Sequence, residues 1–168
     1  VTVINKWDRP GKAPLELMDE IVAEIGLQPT PLYWPVGEAG DFRGLLRRGE
    51  DGEAEEFIRF ERTAGGSTIA SETHLDPEAA AAEQGDTWET AAEESELLSA
   101  DGADHDQEMY LAGDTSPVIF ASAMLNWGVH QILDTLCELA PAPAARESDP
   151  VAIEQSQAAI DEIREPTG

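Results

Sequence analysis

The chain has 168 residues, with 35 Asp and Glu against 10 Lys and Arg, a formal net charge of −25, three His and one Cys. A surface this negative cannot neutralise phosphates through its bulk field, which excludes direct nucleic-acid or anionic-membrane binding. The lone Cys137 cannot form an internal disulfide, and without a second Cys or close His spacing no zinc module is available. No apolar run approaches the roughly 20 residues that span a bilayer and no signal peptide opens the chain, so a cytoplasmic protein is expected.

Apolar residues and charge are unevenly spread. Residues 63–110 hold only Ile69, Leu75, Leu97 and Leu98 of the 35 Leu, Ile, Val and Phe. Residues 1–48 carry a net −1, residues 49–116 a net −18 and residues 117–168 a net −6. A halophile-style coating would acidify every surface, so this distribution predicts a distinct acidic subdomain inserted between two ordinary α/β pieces.

The chain opens on an apolar run, Val1-Thr2-Val3-Ile4, which predicts a strand covered on both faces and a start inside a larger domain. Pro14 suits a first helical position, and Met18, Ile21, Val22 and Ile25 form a helical stripe closed by Gly26. Strand-like runs follow at 32–36, 42–48 and 57–60, with Asp51-Gly52 predicting a hairpin between the last two. Asp76-Pro77, and Asp86 with Glu89 three residues on, mark two helix starts, the second resembling a capping box. The Ala- and Glu-rich stretch 77–99 is expected to be helical and largely solvated, with Trp88 half exposed. A shorter helix at about 104–112 stops at Gly113.

Residues 116–121 read as a second apolar strand, parallel to the first and reached by a crossover. In the helix after it, Val129, Ile132, Leu133, Leu136 and Cys137 are expected to be buried. Pro141 and Pro143 end the ordered domain, and Asp149-Pro150 restarts a weak helix bearing Ile153, Ile160 and Ile163. Trp34 and Trp127 read as packing residues, and His74, His105 and His130 as surface or capping groups without ligand spacing.

Chemistry concentrates after the first strand, in Asn5-Lys6-Trp7-Asp8. Guanine presents an N1–H and an exocyclic amine on one edge, and the single carboxylate of Asp8 can accept from both. Lys6 can lay its stem over the base face, and Asn5 can tie neighbouring loops together. A polar β-to-α loop is the alternative reading. The second apolar strand ends in Ala121-Ser122-Ala123, where a backbone N–H can reach guanine O6 and is refused by an adenine amine. Such loops, at the carboxyl ends of adjacent parallel strands, lie where open α/β sheets bind ligands.

With Leu32-Tyr33-Trp34-Pro35-Val36-Gly37, Asp41-Phe42-Arg43-Gly44-Leu45 and the run from Leu111 to Val129, these motifs resemble the translational GTPases. The W-P-V-G and L-A-G-D-T-S-P-V blocks look most like the bacterial peptide chain release factor 3 family. Elongation factor G is the near alternative and a stand-alone acidic interaction module the other reading. The resemblance implies an α/β fold: the C-terminal half of a P-loop GTPase domain, with parallel strands, flanking helices and an inserted acidic α+β subdomain. Its segments would be 1–30 with the guanine loop, 31–115 as the insert, 116–143 as strand and terminal helix, and 144–168 as a linker toward a β-barrel domain.

The implied guanine site is Asn5, Lys6, Asp8, Ser122 and Ala123, with Met124 standing where many GTPases have Lys. The implied full-length parent binds GTP or GDP with Mg²⁺, and its partners are the ribosome, class I release factors and, through the acidic insert, the ribosomal stalk protein. No G-x-x-x-x-G-K-[ST] occurs: Gly11-Lys12 is followed by Ala13, and Lys6 stands where the first Gly belongs. The chain alone is therefore expected to hold no nucleotide tightly and to hydrolyse none. The first strand's open edge predicts self-association or a disordered start.

Overall fold

The first strand pairs as its sequence suggests. In a computed structural model describing residues 1–61 and 71–141, β1 (Thr2–Ile4) lies parallel to β7 (Thr115–Phe120), with Ile4 opposite Phe120. β7 is the centre of a three-stranded parallel sheet and is buried along its whole length, as suits the middle strand of a covered parallel sheet. The third member, β2 (Gln28–Pro31), pairs with the other side of β7. Its prolines argue against a strand in sequence. They are tolerated because the donors that reach β7 come from alternate residues, Gln28 N–H to Asp114 O and Leu32 N–H to Val118 O, leaving Pro29 and Pro31 directed toward the open edge.

Helix α1 (Pro14–Ile25) crosses between β1 and β2 and closes at Gly26 in the left-handed conformation. Met18 and Ile21 are buried, but Val22 and Ile25 are exposed. The predicted stripe is wider than the narrow sheet beneath it.

Four strands form a second, antiparallel sheet in the order β3 (Tyr33–Val36), β4 (Gly44–Arg48), β5 (Ala54–Phe60) and β6 (Glu72–Leu75). Asp51 and Gly52, both at positive φ, make the β4–β5 turn that an Asp-Gly pair favours. β6, whose Glu-Thr-His-Leu sequence carries little apolar signal, was not anticipated. Asp76 caps α2 (Pro77–Gln84), its carboxylate accepting from Ala79 N–H at 2.8 Å. The expected Asp86 cap does not form. A single residue, Gly85, separates α2 from α3 (Asp86–Ala100), so Gly85 takes the cap position and Asp86 falls inside the first turn.

Helix α3 is not a largely solvated element. It buries Trp88, Ala91, Ser95 and Leu98 against the antiparallel sheet, with the Trp88 ring edge-on to Phe57 at 5.6 Å. Arg48 locks this layer to the parallel sheet: its buried guanidinium donates to Pro31 O, Ser95 O, Ser95 Oγ, Ser99 Oγ and Asp104 Oδ1 at 2.6–3.1 Å. Burial pushes its pKa down, and the Asp104 carboxylate opposes that shift. Trp34 meets Phe120 at 5.4 Å, so a single apolar cluster spans both sheets.

After α4 (Gln107–Ala112), stopped by Gly113, and β7 comes α5 (Val129–Leu139), where the expected burial holds only in part, Val129 and Ile132 being half buried. Gln131 and Thr135 face inward, Leu133 and Leu136 are 55% and 42% exposed, and Cys137 is exposed rather than buried. The inward side of α5 meets a polar neighbour: Gln131 Nε2 donates to Glu72 of β6 at 3.1 Å. β1 is likewise not covered on both faces, Val1 and Val3 being 36% and 40% exposed. Among the described residues nothing pairs with its second edge. The predicted weak helix after Pro150 lies outside the described residues.

Candidate nucleotide-recognition site

Two loops leave the carboxyl ends of β1 and β7 side by side. In the first, Trp7 is the anchor: the residue is 2% exposed, its ring lies edge-on to Phe120 at 4.7 Å, and its backbone N–H donates to Ala121 O at 3.1 Å. With Trp7 held inside, its neighbours Lys6 and Asp8 are carried outward. Lys6 takes a left-handed φ of 67°, and Arg9 N–H closes the turn on Lys6 O at 3.0 Å.

The second loop is tightened by a backbone pair between Ser122 and Trp127, at 2.9 and 3.1 Å. Gly128 makes the return possible: its φ is 72°, and a Cβ there would stand 2.6 Å from Phe120 O. Trp127 is buried against Phe42 and Phe60, at 5.7 and 5.8 Å. Ser122 is buried with an unpartnered hydroxyl, whereas Ala123 is exposed.

Asn5 joins the loops. Its Oδ1 accepts from Lys6 N–H at 2.8 Å and from Ala123 N–H at 3.0 Å. The N–H that the resemblance assigns to guanine O6 is thus donated to Asn5 here. The Asp8 carboxylate is half buried, with no hydrogen-bond partner among the described residues, and Lys6 is exposed. An unpaired carboxylate beside a free alkyl stem can accept from adjacent N–H groups on the edge of a planar base. The histidines lie elsewhere, and among the described residues no cluster of His, Cys, Asp or Glu could hold a metal ion.

Against known proteins, no family model matches the chain. Peptide chain release factor 3 of Synechococcus elongatus is 39% identical over 150 residues, and that of Nitrosomonas europaea 37% identical over 155 residues, each over 88% of this chain. This chain is homologous to a segment of peptide chain release factor 3. It spans about a quarter of the length of these release factor 3 relatives, 26% and 28% respectively. The release factor 3 of Microcystis aeruginosa is similar to the same extent, 39% over 150 residues and 27% of its length. The fold also resembles a crystal structure from Thermus thermophilus, with a TM-score of 0.51 and 21% identity over 84% of this chain and 22% of that one.

Sequence reasoning missed one feature beside the residues that resemble release factor 3. Gly40, in the loop joining β3 to β4, donates its N–H to Trp7 O at 3.0 Å. The signal was present in the two glycines of Gly37-Glu38-Ala39-Gly40-Asp41, both at positive φ.

Proposed function

We propose that residues 1–30 and 116–143 are the guanine-reading half of a GTPase domain, that residues 31–115 are a subdomain inserted into it, and that 144–168 lead toward a β-barrel domain. The whole protein would be a cytoplasmic termination factor that binds GTP on the ribosome and uses it to release class I release factors. The observation that carries this reading is the Ala123–Asn5 hydrogen bond, which ties together the loops leaving the carboxyl ends of two adjacent parallel strands.

In this reading Asp8 accepts from guanine N1–H and the exocyclic amine, Lys6 covers one face of the base, and Ser122 shapes the second loop through its backbone pair with Trp127. Ala123 N–H turns from Asn5 to guanine O6, while Asn5 keeps the Lys6 N–H. Adenine would set an amine against the Ala123 N–H, leaving two donors face to face.

The guanine edge fits these residues; the phosphates and Mg²⁺ do not, since the sequence has no P-loop. By analogy with bidentate base reading, edge contacts supply about 1–3 kcal/mol, whereas even a millimolar complex requires about 4.1 kcal/mol. The chain alone therefore binds no nucleotide at micromolar concentration and hydrolyses none. The outward apolar face of α5 and the open edge of β1 also support a half-domain, and in the isolated chain they favour self-association.

The acidic insert offers the exposed Glu89, Glu93 and Glu96 of α3 to a basic surface such as that of the stalk protein. Glu94 is not in this set, because it accepts from Trp34 Nε1 at 2.8 Å. Converting the three exposed glutamates to Gln in the full-length protein lowers stalk-dependent stimulation; unchanged stimulation contradicts the assignment.

The base assignment is tested by Asp8→Asn in the full-length protein. Loss of the preference for GDP over xanthosine diphosphate is expected. A variant that keeps the guanine preference removes Asp8 from the site.

A further inference from the structure

The loop joining β3 to β4 belongs to the acidic layer, yet it touches both base-reading loops. Its middle residue, Gly40, hydrogen-bonds the carbonyl of Trp7, one position before Asp8. Its end, Phe42, is 6% exposed and packs at 5.7 Å on Trp127, whose backbone is paired with Ser122. Between these anchors the loop is internally braced: Asp41 N–H donates to Glu38 O at 2.8 Å, Arg43 N–H to Val36 O at 3.0 Å, and the Arg43 guanidinium pairs with Asp41 at 2.7 Å. A cleft of about 620 Å³ opens where this loop, the start of α1 and helix α3 come together, so a partner of α3 would act close to it.

We infer that this loop is a clamp through which the acidic layer sets the position of Asp8, making Gly40 a positioning residue for guanine recognition. The inference rests on the guanine reading proposed above. Trp7 is fixed by its ring, by its N–H on Ala121 and by its carbonyl on Gly40; the third tie is the one nearest Asp8 and the only one of these supplied by the acidic layer. The contact is tight for any side chain at position 40. Gly40 has φ +99°, and a Cβ there would stand 3.1–3.3 Å from the backbone nitrogen and ring carbons of Pro10, within the base-reading loop itself. Any enlargement at 40 therefore pushes on the segment that carries Asp8. Tilting of the acidic layer would move the same carbonyl, which gives a partner docked on that layer a mechanical route to nucleotide affinity.

The test uses the full-length protein and two nucleotides, GDP and inosine diphosphate, which lacks the exocyclic amine that Asp8 would bind. Gly40→Ala is expected to weaken GDP about tenfold and inosine diphosphate much less, so that discrimination shrinks. Gly26→Ala is the control: it carries comparable backbone strain, φ +75°, with nothing within 4 Å of the added Cβ, and is expected to lower stability while leaving discrimination at the wild-type value. If Gly40→Ala does not fold, hydrogen exchange of the wild-type protein decides, with the Gly40 amide expected to slow more with GDP than with inosine diphosphate. Wild-type discrimination in Gly40→Ala, an equal shift in Gly26→Ala, or equal Gly40 exchange with both nucleotides overturns the clamp. Asp8→Asn separates the two ideas: if it keeps its guanine preference the guanine reading fails, and if it loses that preference while Gly40→Ala discriminates normally, the clamp alone fails.

Discussion

Helices α3 and α5 make opposite use of their apolar residues. Helix α3 carries five acids yet places Trp88, Ala91 and Leu98 in the core; α5, with two acids, turns Gln131 and Thr135 inward and leaves Leu133 and Leu136 in solvent. The difference lies in what stands opposite. Helix α3 covers the face of the antiparallel sheet that carries the fully buried pair Leu46 and Phe57, whereas α5 presents its inner side to Glu72 on the rim of that sheet. A helical apolar stripe specifies a face that can be covered. Burial also requires a matching surface, and for α5 the described residues supply none.

The largest test of this contrast is truncation of the two helices. Trp88→Ala is expected to cost about 3–5 kcal/mol in chemical denaturation, whereas Leu133→Ala stays within about 0.5 kcal/mol of wild type. Comparable losses would show that Leu133 is buried as Trp88 is. Arg48→Met comes next, with an expected cost of about 3 kcal/mol, because it leaves Asp104, Ser95 and Ser99 without the guanidinium that holds α3 to the sheets. On the other helix, Leu133→Asp combined with Leu136→Asp should suppress concentration-dependent association of the isolated chain in sedimentation while the helical signal persists. Association unchanged by both charges would locate the contact elsewhere.

The smallest effect concerns a surface pair on the acidic layer. The hydrogen bond from Arg59, at 2.7 Å, holds the Glu83 carboxyl below its ordinary pKa. Because the folded-state pKa is depressed, the stabilisation is present at neutral pH and disappears as pH falls through that depressed value. The melting-temperature advantage of wild type over Arg59→Leu should therefore shrink between pH 7 and pH 3, and a constant difference would show that the pair contributes nothing through charge.

Much of the parallel sheet was legible because its signals are local. β7 announces itself through the apolar run Pro117 to Ala121, Pro14 and Gly26 bracket α1, and Asp51-Gly52 marks the hairpin. The position of the Asn5-Lys6-Trp7-Asp8 loop also followed from sequence, since it directly follows β1. What was hidden depends on distant partners. β2 exists because β7 offers it a ladder, β6 because β5 does, and Gly85 rather than Asp86 caps α3 because α2 ends one residue earlier. Trp88 and the outer face of α5 were misread for the same reason: periodicity gives the direction of a face, and only the tertiary neighbour determines whether it is wet.

In the proposed half-domain the outward apolar faces are seams, and Cys137 on α5 reports on that directly. Maleimide labelling of Cys137, read by mass spectrometry on dilute protein, should be fast in the isolated chain and strongly slowed in the full-length protein. Equal labelling rates in the two would show that the outer face of α5 is solvent-facing in both, and would contradict the half-domain reading.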